Sequence, residues 1–173
     1  MKYLILFLSI FYSININSQI NNIAERLGYD SDAKLLIIHA DDIGIAHSVN
    51  IASFDAYKNN AINSGSVMMI SPWVKEFAEF HNEYPKYDIG VHLTLTAEWK
   101  NYKWGGISSS NKIQSLLNGD NEFYDNTSDV NINANPEEVR KELQAQIDYA
   151  RSLGINPSHI DSHMGAVAVN KDL

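Results

Sequence analysis

The sequence has no cysteine. That excludes disulfides, thiolate zinc sites and cysteine nucleophiles, and any metal must be held by imidazole and carboxylate. Positive charge is also scarce: 13 Lys and Arg stand against 21 Asp and Glu, for a formal net charge of -8. Such a chain repels phosphate backbones, so general nucleic-acid binding is not expected. It has no basic run of the kind that docks on anionic membranes. No internal repeat or low-complexity tract is visible. What remains is a chain of 173 residues with an ordinary hydrophobic share of 45%. That suits one domain whose core buries roughly two-thirds of the unfolded surface.

The N-terminal apolar run from Tyr3 to Tyr12 is too short to span a bilayer comfortably. Lys2 precedes it, and it dissolves into the small polar stretch Ser13 to Gln19. Positive start, short apolar middle and polar end read as a secretory signal peptide over residues 1–18, cleaved near Ser18, although Ile16 fits the small-residue rule poorly. The alternative is a buried N-terminal helix. A secreted or periplasmic location is the expectation, with no membrane attachment after cleavage and a homo-oligomer left open.

Beyond the leader, apolar patterning alternates between strand and helix. Residues 33–40 (AKLLIIHA) form a continuous apolar run, expected to be a strand buried on both faces. Helices are expected over 48–60 and 72–83, and strands over 66–70 and 88–95. Residues 96–135 are rich in Asn, Ser, Gly and Asp, with isolated aromatics, and read as a long excursion rather than regular structure. Asn135-Pro136-Glu137-Glu138 then marks a helix start, combining a capping side chain, Pro at the first turn and early carboxylates. Val139, Leu143, Ile147, Ala150 and Leu153 give that helix one apolar face, and Gly154 ends it. A fourth strand is expected over 158–162. Strand–helix alternation without hairpin signals predicts an α/β fold on a parallel sheet, open or closed into a barrel.

Chemistry in such folds gathers at the C-terminal strand ends. Asp41-Asp42 is a pair of adjacent carboxylates at one such end, where a cation would offset their repulsion; the plain reading is a helix cap. On an extended backbone the two would point opposite ways, so that one can bind metal while the other faces water or substrate. His92 lies between Val91 and Leu93 and is either a ligand or a hydrogen-bonded core histidine. In His159-Ile160-Asp161-Ser162-His163, a helix would put the histidines on one face at i,i+4. Pro157 and the β-branched Ile160 favour a strand instead, with His159, Asp161 and His163 on one side. Two histidines and one aspartate leave positions open for water and substrate, as a catalytic metal site requires.

Four ordered segments resemble a known family. Leu36 to Gly44 (LIIHADDIG), followed by Ser48-Val49-Asn50, resembles the opening motif of the YdjC-like (ChbG/HpnK) carbohydrate deacetylases. Ser64 to Met68 resembles their second strand, and Gly90 to Thr96 and Pro157 to His163 their two histidine motifs. The resemblance implies a distorted (β/α) barrel of the polysaccharide-deacetylase type. It implies one divalent metal, zinc or magnesium, on Asp42, His92 and His163, with Asp41 as catalytic base. His159 and Asp161 would orient the ligands from behind. Trp99, Tyr102 and Trp104 would either stack on sugar rings or simply pack the loop. The implied substrates are N-acetylated amino sugars or chitooligosaccharides. A metal hydrolase of another amide or ester, and a carbohydrate-binding fragment without catalysis, are the competing readings. Family members usually continue well past Leu173, so residues 19–173 are expected to be the N-terminal part of one incomplete barrel domain.

Overall fold

The computed structural model describes residues 22–168. The segment read as a signal peptide lies outside them, as do residues 169–173. The chain divides into two compact units between Leu36 and Ile37. Among its described residues the first contains one short helix, α1 (Ile23–Arg26), whose Glu25 amide donates to the Asn22 side chain at 3.2 Å. The second holds the rest in the order β1 (His39–Ile43), α2 (His47–Lys58), β2 (Ser64–Val67), α3 (Val74–Glu83) and β3 (Ile89–Leu93). A long connection follows, with two 3-10 turns and the helix α4 (Thr127–Asn133). Then come α5 (Pro136–Ser152), β4 (Ile160–Ser162) and a 3-10 turn at His163–Gly165.

The four strands are all parallel and lie side by side in chain order, β1-β2-β3-β4. Sequential order is what a (β/α) barrel winds, whereas a doubly wound open sheet reverses direction partway. The two faces of this sheet differ in kind. On one, Ile43, Val67, Ile89, Val91 and Leu93 pack with Tyr57, Phe77, Phe80 and Ala150 from α2, α3 and α5. On the other stand His39, Ser64, Ser66, His92 and Asp161, joined to one another by hydrogen bonds. Strand side chains alternate, so a single run such as Ile89-Gly90-Val91-His92-Leu93 supplies both faces.

The first strand starts later than its hydrophobicity suggested. Leu36 and Ile37 precede β1 and are 71% and 74% exposed, so the expected two-sided burial of residues 33–40 is not found. Pairing with β2 instead runs through His39 and Ala40, which sit opposite Ser64 and Gly65.

The excursion also proves to be built. Leu95, Trp104, Ile113, Leu116, Phe123 and Val130 form a second buried cluster with Val139 of α5. Three polar residues of α5, spaced four apart, tie the excursion down. The Glu142 carboxylate accepts from the amides of Ile107 and Ser108 at 2.8 and 2.9 Å. Gln146 pairs with both the N–H and the C=O of Thr94, and Glu138 accepts from the Ser115 amide at 2.8 Å.

Candidate metal centre

β1 carries an irregularity that aims its aspartate. Ala40 pairs with Gly65, but Ile43 pairs with Val67, so β1 holds one more residue than β2 across this step. Such a bulge bends a strand and redirects a side chain. Asp42 sits in it with φ 55, a left-handed conformation that Asp tolerates better than most residues. Strict alternation would have sent Asp41 and Asp42 to opposite faces. The bulge instead lets the Asp42 carboxylate meet two histidines from across the sheet.

The loop after β1 is fixed by buried Asn50, whose side-chain oxygen accepts from the Gly44 amide at 2.9 Å. Its Nδ2 donates to the Trp73 carbonyl at 2.9 Å and to Glu76 at 2.7 Å. His92 comes from the middle of β3, and His163 from the first position after β4. Both imidazoles are buried, and Asp42 is half-buried. Asp42 Oδ1 lies 3.0 Å from His163 Nδ1 and 3.3 Å from His92 Nε2, and those two nitrogens are 3.3 Å apart. Among the described residues this is the group of three whose ligand atoms all lie within 4.8 Å of one another.

Proton placement explains why these atoms suit a cation. His92 Nδ1 is 2.7 Å from Asp161 Oδ1, and His163 Nε2 is 3.0 Å from Glu98 Oε2. An ionised carboxylate can only accept, so each of those nitrogens carries the proton of its neutral ring. The facing nitrogens then hold lone pairs, and together with Asp42 they form a triangle of three acceptors. A tetrahedral zinc, with bonds of about 2.0–2.1 Å, spaces its ligand atoms about 3.3–3.4 Å apart, so the residues present fit. Two imidazoles and one carboxylate match the donor types that zinc takes at sites with an open position.

In the metal-free protein, protons do part of the cation's work. Hydrogen bonds from His163 and His92 hold the Asp42 carboxyl well below its ordinary 3.8, against the upward push of burial. Burial pulls the His92 imidazole down, but hydrogen bonds and charge from Asp42 and Asp161 outweigh it, and the net shift is up from 6.5. His163 behaves alike, with burial outweighed by Asp42 and Glu98. The stability Asp42 contributes is present above its unfolded value and lost as pH falls through the lowered one. That of the raised imidazoles is full below 6.5 and lost as pH rises through their folded values. Metal must displace these protons. The rise in melting temperature on adding zinc is therefore expected to be larger at pH 8 than at pH 6. Equal or reversed increments in paired thermal melts would contradict this.

The other residues singled out by the motifs fall in different places. Asp41 is exposed beside Asp42 and two residues on from His39. Asp161 stands directly behind His92, and its other oxygen accepts from Ser66 Oγ at 2.8 Å and lies 3.2 Å from His39 Nε2. His159 has a different neighbourhood: its Nδ1 is 2.8 Å from Ser158 Oγ and 3.7 Å from Asp88, and its ring packs edge-on against His39. It lies over Gly90, where a Cβ would approach the imidazole to 2.5 Å, so a side chain at this strand position would have to displace the ring.

Of the three aromatics, Trp104 is only 7% exposed and donates its Nε1–H to the Thr96 carbonyl, which makes it core. Tyr102 is partly buried and donates its hydroxyl to the Ile45 carbonyl. Trp99, at 44% exposure, presents a ring to solvent while touching the other two. The motifs do not point to Glu98 or His39. Glu98, six residues after His92, brings its carboxylate to the outer nitrogen of His163, and His39 meets Ser66 and Asp161 on the polar face of the sheet.

Known proteins resemble this chain over most of its length. The model of the family described as YdjC-like protein matches residues 35–171. A carbohydrate deacetylase of Thermus thermophilus is 34% identical over 146 residues, 84% of this chain and 49% of that protein. One from Thermoanaerobacter pseudethanolicus is 31% identical, over 80% of this chain and 53% of its own. A crystal structure from Enterococcus faecalis V583, described as a candidate cellobiose-phosphate cleavage protein, superposes with a TM-score of 0.71 at 33% identity. It covers 79% of this chain and 51% of its own. The chain spans about half the length of the curated relatives it matches.

Proposed function

The chain belongs to the YdjC-like protein family, and from that premise we propose that the protein hydrolyses the N-acetyl group of amino sugars at a divalent-metal centre on Asp42, His92 and His163. One observation carries the reading. Asp42 Oδ1, His92 Nε2 and His163 Nδ1 converge within 3.3 Å of one another, while the outward ring nitrogens are committed to Asp161 and Glu98, so the facing nitrogens can turn lone pairs to a cation once their protons are displaced. The deacetylase names of the relatives supply the substrate class.

A divalent ion held there would polarise the acetyl carbonyl and make a bound water more acidic, and zinc is the ion proposed. The chain's own residues do the rest. Asp41, exposed beside the ligand aspartate, takes the proton of the attacking water and returns it to the amine nitrogen as the carbon–nitrogen bond breaks. Acetate and the free amine leave. Asp161 keeps the His92 imidazole oriented. Trp99 offers the sugar a stacking face, since Trp104 and Tyr102 are engaged in packing. Residues 1–18 are proposed to direct the protein to the periplasm or outside the cell.

The test is acetate release from N,N′-diacetylchitobiose with zinc or magnesium added. Release is expected, and to be lost in Asp41→Asn. A chain that binds metal yet releases no acetate from a panel of acetylated sugars would refute the substrate class. Turnover of simple esters or other amides in the same panel would favour the broader metal-hydrolase reading.

A further inference from the structure

We infer that Glu98 is a positioning residue of the centre: its carboxylate accepts the Nε2–H of His163 and so holds that ring with Nδ1 turned toward Asp42 and His92. The inference rests on the metal reading above and adds to it a residue outside the ligand set.

The first support is geometric. Glu98 Oε2 is 3.0 Å from His163 Nε2, on the side of the ring opposite the nitrogen that faces Asp42. A neutral imidazole protonated at Nε2 presents its lone pair at Nδ1, which is the atom the centre uses. The second concerns backbone support. His92 lies within a paired strand, but His163 lies past the end of the three-residue β4, in a turn whose next residue, Met164, is left-handed at φ 52. Little of the backbone fixes that ring, so its side-chain partners must. Trp104 meets it edge-on with centroids 6.3 Å apart, and Glu98 supplies the directional contact.

The third support is that Glu98 is itself anchored. The Ala97 amide donates to the Tyr124 carbonyl at 2.8 Å, and the Ala97 carbonyl accepts from Lys103 Nζ at 2.6 Å. The Thr96 carbonyl accepts from Trp104 Nε1 at 2.7 Å. A side chain on so restrained a backbone can act as an orienting group. Each histidine of the centre thus has its own carboxylate behind it, Asp161 for His92 and Glu98 for His163. The excursion, through Glu98, is what supports the second one.

Zinc titration by calorimetry of the wild-type chain, Glu98→Ala and Glu98→Gln tests this, with thermal melts of the metal-free proteins and visible spectra of the cobalt(II) forms. Loss of such a partner typically weakens metal binding by about 10–100-fold. That weakening is expected for Glu98→Ala at unchanged stoichiometry, with an altered cobalt spectrum. Glu98→Gln keeps a carbonyl oxygen for the Nε2–H and should recover most of the affinity. The inference is overturned if Glu98→Ala binds zinc as the wild type does, or if Glu98→Gln is as weak as Glu98→Ala. A flat titration of the wild-type chain is a separate outcome: it would overturn the metal reading itself, and the inference with it.

Discussion

Asp42→Asn and His92→Ala are each expected to weaken zinc binding by roughly 100-fold or more, and to abolish the rise in melting temperature that zinc gives the wild-type chain. The magnitude follows from structural zinc sites, where about 10–16 kcal/mol is shared among four ligands, or roughly 3 kcal/mol each. Asp42→Asn is the cleaner of the two. Asparagine tolerates the left-handed φ of 55 at this position, so the bulge survives and only the anionic ligand is lost. His92→Ala removes a ligand and also strands the Asp161 oxygen that accepts from it at 2.7 Å, so its metal-free form should be less stable as well. Calorimetry measures the affinity, and melts with and without zinc measure the linkage. Wild-type affinity in both variants would remove these residues from the centre.

The second large effect is expected in α5, outside the candidate centre. Glu142 is 0% exposed, and its carboxylate takes the Ile107 and Ser108 amides and the Gln146 side chain. Alanine there leaves two backbone donors unpaired, on a segment whose folded path depends on them. Breaking a buried charged hydrogen-bond group of this kind costs about 3–5 kcal/mol. For a domain of this size that is a fall of roughly 6–20 °C in melting temperature. Glutamine would rescue poorly, because its NH2 group would face a backbone N–H. Glu137→Ala, earlier on the exposed side of α5, removes the surface pair with Arg140 and one first-turn carboxylate and should change stability by about 1 kcal/mol or less. Limited proteolysis should cut the Glu142→Ala variant within residues 105–115 before the wild type. Melting within about 2 °C of the wild type would show that the excursion is held by its apolar cluster alone.

Much of this was legible in the sequence. The start of α5 was, because Asn135 and Pro136 act locally: the Asn135 side chain accepts from the Glu137 amide at 2.9 Å. β3 was, because Ile89, Val91 and Leu93 do turn to the helices while His92 turns to the other face. The convergence of Asp42, His92 and His163 was, because each sits at a strand or its end. What escaped was non-local. The late start of β1 reflects which residues find partners on β2, and the apolar count of residues 33–40 does not report that. The bulge at Asp42 is a mismatch between two strands, invisible in either one. Glu138, Glu142 and Gln146 look like the solvent face of an amphipathic helix, yet they hold the excursion down, because backbone amides are partners that no hydrophobic pattern displays. His159 shares the parity of Asp161 and His163 but lies too far back along the chain to reach the ligands, and faces His39 and Asp88 instead.

The unlike faces of the sheet bear on how the chain assembles. A strand that pairs one residue out of register turns every side chain over. If β4 slipped by one against β3, Ile160 would meet the ring of His92, and Asp161 would be driven among Leu93 and the aliphatic side chains of α5. The same slip in β2 would bury two serine hydroxyls against aromatic rings and turn Val67 onto the histidine side. Neither misalignment has a compensating contact. In a sheet apolar on both faces such errors would differ little in energy from the correct pairing. Here the polar residues that line the candidate metal centre also proofread the alignment of the strands.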